Sequence, residues 1–546
     1  MRRLLPLGLL LLLGGATALR GAGLGIHPIV DETQTVATAL DLEITGKSVP
    51  HERNWPPFTY SLVRGLVRVL VATGAQDSAA AMGEGILSGR WYRENTPLHA
   101  QLRLLPLATG VGLVLATYLL GNWLRDRECG LVAAAIAAVA PLAVQYSRFV
   151  VTEGPHALAA ALAVAFALRT VRGGGAVSRF GSFALAGVAL AAKYLGATAI
   201  LAAAASLALR RPRPSARRLA GDLALGGIAF AAGAFAAAPS LFLHAGFYLE
   251  GLGTHAESTG WRWLGFEEEP RGWIFHLLRS VPWGTGGVTT VAFAAAGLFL
   301  AWGRDRRAVL VLLAFAIPFY ALVGANRILF ARYLLPLVPV LAALAGVGAV
   351  EGFRRARARG RPVVATVVAT LAVWAIAFPA REEVRLAKVL RQPDTRRIAG
   401  VWIEENLPAG TRVLSAFPLF LPGEFAFFSN SAYPYPPRPQ TGIEFGHLLL
   451  PRDRDVVEEP DNILGRFDVY LRTSFVDDLL EAKPSIYPGY AAIARTLRDA
   501  PIEKRFDPGG AIAPALPGPE WEMRAAPGRG AEQPGPTIEI LRLRGR

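Results

Sequence analysis

Residues 181–208 read GSFALAGVALAAKYLGATAILAAAASLA, an apolar run with Lys193-Tyr194 at its middle and arginines on both flanks, Arg179 before it and Arg210 after it. A single crossing of a bilayer would place those flanking cations on opposite sides. Two short helices meeting at Lys193 return the chain to the side it left. Working outward, further apolar runs lie near 4–22, 103–121, 131–147, 156–170, 220–243, 283–302, 308–325, 328–350 and 362–379. A helical crossing takes about 20 residues, so the chain is expected to make about 11 spans with 181–208 counted as two. On that count Arg2 and Arg3, Arg125 and Arg127, Arg169 with Arg172 and Arg179, Arg210 to Arg218, Arg304 to Arg307, and Arg354 to Arg361 share one side. The positive-inside rule makes that side the cytoplasm.

Composition agrees with a membrane class. Of the 546 residues 52% are hydrophobic, and mean hydropathy is +0.35, too apolar for an ordinary soluble enzyme. The net charge of +15 sits largely in the short loops between apolar runs, so orientation accounts for it and nucleic acid is not an expected partner. Cys129 is the only cysteine, which excludes an internal disulfide framework, a zinc-thiolate site and an iron-sulfur cluster. Arg2 and Arg3 before Leu4 to Leu13 also describe a cleavable signal peptide. An uncleaved first span is the reading adopted, because an acidic motif follows that requires a place at the membrane surface.

This topology leaves residues 23–102, 244–282 and the tail from 381 outside. In the first, Trp55-Pro56-Pro57 opens a stretch, 58–72, whose Phe58, Leu62, Leu66 and Val69 face away from Arg64 and Arg68, an amphipathic helix expected to lie on the membrane. The division is a membrane domain over 1–380 and a small α/β domain over 381–546. In the latter, 401–406 reads as helix, 408–410 as turn, 412–415 as strand, 467–472 and 537–543 as further strands, and 509–533 as a Pro/Gly loop.

Asp31-Glu32 follows the outer end of the first span, where a carboxylate meets both a lipid-borne and a water-borne reactant. Such a group takes up the proton of an attacking hydroxyl. Asp31 with Gln34 equally spells a helix capping box, and spacing alone does not separate the two readings. Glu153, at the outer junction of the third and fourth spans, is an ionisable residue at a costly depth, or a glutamate favoured by the dipole at a helix start. Lys193, Arg332-Tyr333 and Arg53 are candidates for stabilising a departing phosphate, with Arg262, Arg271 and Arg327 as alternatives; snorkelling to headgroups is the plain reading of any one arginine. Tyr248 and His255 stand in the outer loop 244–282 among tryptophans that anchor at interfaces or stack on sugars. The histidines lack a metal-ligand spacing, so no cofactor is assigned and a divalent metal stays open.

These features together resemble the GT-C membrane glycosyltransferases, in particular the bacterial branch with the protein mannosyltransferases and aminoarabinose transferases. The resemblance runs over about 5–380, the tail resembling the periplasmic domains of that group. It rests on Asp31-Glu32, Trp55-Pro56-Pro57-Phe58, Arg103-Leu104-Leu105, Ser147-Arg148 through Glu153, Lys193-Tyr194 and Arg332-Tyr333-Leu334-Leu335-Pro336. It implies inverting transfer of a sugar from a polyprenyl-phosphate donor to a lipid, polysaccharide or protein acceptor at the outer face of a bacterial cytoplasmic membrane. Asp31 would be base or acceptor-orienting group, with Glu32 and Glu153 the further catalytic candidates. Two positions depart from the group: Glu153 where aspartate is frequent, and Asn54 where some relatives carry a lysine against the donor phosphate, a role Arg53 or Lys193 would take over. A transporter or lipid flippase is the rival of another class. Transporters place polar sites near the midplane and carry repeats, whereas the acids here stand at outer helix ends and no repeat is visible. A non-catalytic assembly protein that uses the tail as a binding module is a second rival.

Overall fold

The computed structural model describes residues 4–543 apart from 23, 27–28, 51–54, 88–96, 259, 261–264, 417–418, 420, 422–441, 449–458, 475 and 510–531; for 4–5, 30, 97–99, 255 and 258 it describes the backbone alone. The main helices are α1 (Leu4–Gly21), α2 (Val30–Thr45), α3 (Phe58–Ala72), α4 (Ala79–Leu87), α5 (Leu104–Leu124), α6 (Arg127–Val139), α7 (Glu153–Val171), α8 (Ala176–Ala192), α9 (Ala199–Leu209), α10 (Ala216–Ala237), α11 (Ala245–Ser258), α12 (Val288–Trp302), α13 (Arg306–Ala325), α14 (Val338–Ala358), α15 (Pro362–Val389) and α16 (Thr395–Asn406).

Six of the described helices are long and apolar enough to cross a membrane, or up to seven if the bent pair Gly272–Thr285 and Val288–Trp302 is one span. Pro6–Gly21, Ala176–Ala192 and Tyr194–Leu209 are shorter apolar helices. The run 131–147 is broken at Ala140, whose extended backbone precedes Pro141. The run 181–208 is broken at Lys193, also extended, before a 3-10 turn over Tyr194–Thr198.

Burial sorts the helices. In Glu153–Val171 and Ala331–Ala358, 78% and 83% of the apolar window is inside the protein, against 17% in Pro362–Val389. Alanine and glycine make this density attainable, since apolar lipid supplies little drive to associate and close backbone contact must do so. A Cβ on Gly187 of α8 would stand 2.0 Å from the Phe230 carbonyl of α10, and one on Gly233 2.1 Å from that of Ala184.

The basic loops gather at one end of the bundle. Arg125 pairs with Glu351 at 2.9 Å, Arg354 with Asp126 and Glu128 at 2.6 Å, and Arg172 donates to the carbonyls of Leu124 and Arg125. Arg210 pairs with Asp222, and Arg307 reaches the Leu209 carbonyl.

At the other end, α2 and α3 pack through Val36, Ala39, Leu40, Tyr60, Val63, Val67 and Leu70. Helix α3 thus has its expected bounds, but the residues it buries are not those expected to meet the membrane. Val69 is 55% exposed and Leu62 and Leu66 half-buried, while Arg64 and Arg68 both bind Glu43 of α2, at 3.1 and 2.8 Å.

Beyond α15 lies a five-stranded sheet of order β2-β1-β3-β5-β4, with β1 Arg412–Ser415, β2 Glu444–His447, β3 Val469–Thr473, β4 Ile502–Phe506 and β5 Ile538–Arg542. β1 runs parallel to β2 and β3; β5 is antiparallel to β3 and β4, with Leu471 opposite Ile540. Ala399 and Ile403 of α16 cover one face with Val413, Val469 and Ile540, and Ile493 and Leu497 cover the other with Tyr470 and Leu541. Ala416, Val476, Leu479, Tyr487 and Tyr490 pack on Phe266, Phe275, Leu329 and Phe330.

Candidate active site

The two most deeply buried spans carry charged side chains at their ends opposite the basic loops. Glu153 is the first residue of α7, and Arg332 lies in the turn Ala331–Leu337 that leads into α14. Between them, the extended backbone at Lys193 ends α8, and the Lys193 carbonyl accepts the Gly196 amide at 2.8 Å. A Cβ on Gly196 would stand 2.1 Å from the Ala189 carbonyl, so this tight turn requires glycine.

These residues meet Asp31. Its carboxylate lies 2.7 Å from Arg332 Nη2, and Arg332 Nε lies 3.5 Å from Glu153 Oε1. The Lys193 ammonium is 2.7 Å from the same Glu153 oxygen. Lys193 also sits over two aromatic faces, 4.5 Å from the Trp55 ring centre and 4.7 Å from that of Tyr333; Arg332 stacks on Phe330 at 4.3 Å. Two carboxylates and two cations from remote parts of the chain form one chain of contacts. Glu153, Lys193 and Arg332 are buried, while Asp31 keeps 31% of its side chain exposed. Asp31 is therefore the acid that an incoming molecule reaches.

The capping-box reading of Asp31 does not hold. Helix α2 begins at Val30, its N-cap is Ile29, and Asp31 stands inside the first turn.

Glu32 points elsewhere. It is fully buried and grips Arg103 through both oxygens, Oε1 at 2.8 Å from Nε and Oε2 at 2.5 Å from Nη2, while Oε1 also accepts the Val150 amide at 3.0 Å. Arg103 in turn donates to the carbonyls of Leu24 and Ile26. Glu32 thus fastens the first outer segment to the start of α5 and stands apart from the Asp31 cluster.

Tyr248 is 2% exposed; its carbonyl accepts the Tyr194 hydroxyl at 3.1 Å, bracing the turn after Lys193. Arg53 and Arg262 lie outside the described residues, as does the side chain of His255. Arg271 and Arg327 line a different cleft, with Trp273 and Asn326.

His156, one turn into α7 from Glu153, escaped sequence reasoning. It is buried, its ring centre lies 5.9 Å from that of Phe319, and its Nε2 has no partner among the described residues. Arg20, which donates to Ser147 and to the Ala137 and Ala138 carbonyls, and the buried pair Arg148–Glu383 at 3.5 Å were equally illegible.

The Asp31 cluster is a poor metal centre, because Arg332 already occupies Asp31 and Lys193 occupies Glu153. A donor set of metal-like spacing among the described residues, Asp126, Cys129 and Glu351, stands at the basic end, where Arg354 binds both carboxylates.

This architecture occurs in solved structures. ArnT from Cupriavidus metallidurans in the apo state superposes with a TM-score of 0.53 at 16% identity, covering 91% of this chain and 95% of ArnT. Its form bound to undecaprenyl phosphate gives 0.51 at 15% identity, covering 88% and 94%. The fold is GT-C. The archaeal oligosaccharyltransferase AglB from Archaeoglobus fulgidus, in complex with an inhibitory peptide and a dolichol-phosphate, gives 0.51 at 11% identity, covering 92% of this chain and 73% of AglB. Residues 98–238, from the short helix Pro97–Leu102 to the end of α10, match the family described as dolichyl-phosphate-mannose-protein mannosyltransferase. No curated protein matches by sequence.

Proposed function

We propose that this protein moves a sugar from a polyprenyl-phosphate carrier to an acceptor hydroxyl at the outer face of a bacterial cytoplasmic membrane. The observation that carries the reading is the sharing of Arg332 by an accessible Asp31 and a buried Glu153 that also holds Lys193. Asp31 takes the acceptor proton as the oxygen attacks the anomeric carbon from the face opposite the phosphate. The bond from that carbon to the phosphate oxygen breaks, the configuration inverts, and the polyprenyl phosphate leaves with one more negative charge. Lys193 and Arg332 stabilise that charge, which grows as the transition state is reached. Glu153 is the positioning residue, fixing both cations where water is excluded. Names borne by proteins of this fold agree with the choice of donor, since ArnT is described with undecaprenyl phosphate and AglB with a dolichol-phosphate.

In this reading the chain crosses the membrane about 11 times, with α8 and α9 as an outward and a returning crossing. Residues 1–380 form the membrane domain and 381–546 an extracytoplasmic one. Positive charge for the donor phosphate comes, in this reading, from the Arg332 guanidinium and the Lys193 ammonium.

The test is transfer by the purified protein in lipid vesicles, given a radiolabelled polyprenyl-phosphate sugar and an extract of bacterial envelope glycolipids and glycans. Label moving to an extract component supports the proposal. Movement of intact donor across the bilayer without bond cleavage would replace it by a flippase.

A further inference from the structure

The soluble domain carries a cleft of about 340 Å³, a size within the range of small-molecule sites. It lies between β3 and the helices Asp477–Glu481 and Pro488–Leu497. Its lining combines the apolar Pro484, Ala491, Ala494 and Leu497 with Arg472, Arg495, Arg498 and Glu481. Ala491, Ala494, Arg495 and Arg498 recur at helical spacing, so one face of the helix presents both apolar and cationic lining. Arg472 is paired with Glu481 at 3.0 Å and with Glu539 at 3.5 Å. Arg495 and Arg498 form no ion pair among the described residues. The cleft therefore keeps an excess of guanidinium beside an apolar surface.

Its position gives the cleft meaning. Tyr490, part of its lining, also belongs to the apolar cluster with Leu329 and Phe330, immediately before Arg332. Pro484 follows Lys483, whose ammonium binds Glu267 at 2.8 Å and the Gly265 carbonyl at 3.2 Å. The cleft thus stands beside the seam where the soluble domain meets the outer segment of the membrane domain.

We propose that this cleft binds an anionic sugar unit of the acceptor, its oxyanion on Arg495 and Arg498 and its ring against the Pro484, Ala491 and Ala494 surface. The choice of a sugar rests on the transferase reading, in which an acceptor must be held above Asp31; the choice of an anion rests on the arginines. The charge is a phosphate or a carboxylate, and guanidinium suits both through its paired N–H donors.

Full-length protein in detergent micelles is titrated with glucose 1-phosphate, and in parallel with inorganic phosphate, glycerol 3-phosphate and methyl glucoside. Saturable binding of glucose 1-phosphate, weakened at least about tenfold in Arg495→Ala/Arg498→Ala, is the expected result, since a charge-assisted contact is lost. Equal binding by wild type and the double variant overturns the site. Glycerol 3-phosphate or inorganic phosphate binding as tightly as the sugar phosphate overturns it in favour of a lipid headgroup or a simple anion. A polyprenyl phosphate titration is the companion measurement and should be unchanged in the double variant. Arginine-dependent binding of glucose 1-phosphate by a protein that transfers no sugar would uphold the cleft and remove the transferase. Transfer that needs Asp31, with glucose 1-phosphate binding indifferent to the two arginines, would do the reverse.

Discussion

Glu32 and Arg103 form a doubly hydrogen-bonded ion pair with no exposed side-chain surface, one residue along the chain from the accessible Asp31. Adjacent acids in one helical turn thus have opposite situations, because successive side chains of a helix point about 100° apart.

Glu32→Gln should therefore destabilise the protein. It leaves the Arg103 guanidinium buried without its counter-ion, a change that costs about 3–5 kcal/mol in comparable buried pairs. Thermal unfolding in detergent reads this directly. The folded fraction should retain donor binding, since the Asp31 cluster does not include Glu32. Wild-type stability of Glu32→Gln would show that the pair does not hold the outer segment.

Lys193→Ala should depress turnover far more than Arg64→Ala. Lys193 is buried between Glu153, Trp55 and Tyr333, and losing one partner of such a contact costs about 2–5 kcal/mol. Arg64 binds Glu43 at the surface of α3, where a pair is worth about 1 kcal/mol or less, and Arg68 holds the same glutamate. Initial rates with labelled donor compare the two, and equal rates would take Lys193 out of the site.

Much of this cluster was legible because charge inside apolar sequence is costly and so marks a purpose. Lys193 and Glu153 stand out on that ground, and Arg332 by its place at a span end. Partnership was not legible. Glu32 and Arg103 are separated by 71 positions and Arg148 and Glu383 by 235, and nothing local announces either pair. Helix α2 starts at Val30 without a side-chain cap, which defeated the capping-box pattern of Asp31 and Gln34. Beyond α15, β1, β3 and β5 carry apolar residues on a covered sheet and were readable. The edge strands β2 and β4, EFGH and IEKRF, are largely polar and, Phe506 apart, half-buried or exposed, so their sequences carry little strand pattern.

Docking of the soluble domain should weaken in acid. Glu267 loses solvation on burial, which raises its pKa, but the Lys483 ammonium and the Tyr487 hydroxyl outweigh this and hold it below the ordinary carboxylate range. A depressed folded-state pKa contributes stability that is fully present above the unfolded value, about 4.3, and is lost as pH falls through the folded one. The protection of residues 477–497 against hydrogen exchange, taken relative to the intrinsic rate at each pH, should fall below about pH 4 in the wild type. Glu267→Gln should exchange faster already at neutral pH, with a flatter pH dependence. Identical profiles would show that the Glu267–Lys483 contact does not fasten the domain.

The basic loops and the soluble domain should lie on opposite sides of the membrane. Reporter fusions after Arg218 and after Arg381 read the two sides, the first cytoplasmic and the second not. The loop that carries Arg218 lies with the other basic loops, since Arg179 and Arg210 both bind Asp222 and Arg307 reaches the Leu209 carbonyl. Both reporters on one side would overturn the placement of Asp31 at the outer face.

Asp31→Asn should abolish transfer and leave a folded protein that still binds polyprenyl phosphate. The amide is nearly isosteric, and Asp31 neither caps α2 nor is buried, so the structural loss is confined to one contact with Arg332 and a favourable charge at a helix start, about 0.3–1 kcal/mol. Arg332 keeps Glu153 as a partner, so the donor phosphate still finds both cations. An amide, however, does not take up the proton of an attacking hydroxyl, and loss of a general base lowers rate by about 10²-fold or more. Donor binding and transfer therefore respond differently to this one substitution: the dissociation constant for polyprenyl phosphate should stay within about threefold, the scale of a fraction of a kcal/mol, while the rate falls. Near-normal transfer by Asp31→Asn would return Asp31 to the role of a counter-ion for Arg332 and move the search for the base to Glu153 and the neighbouring His156.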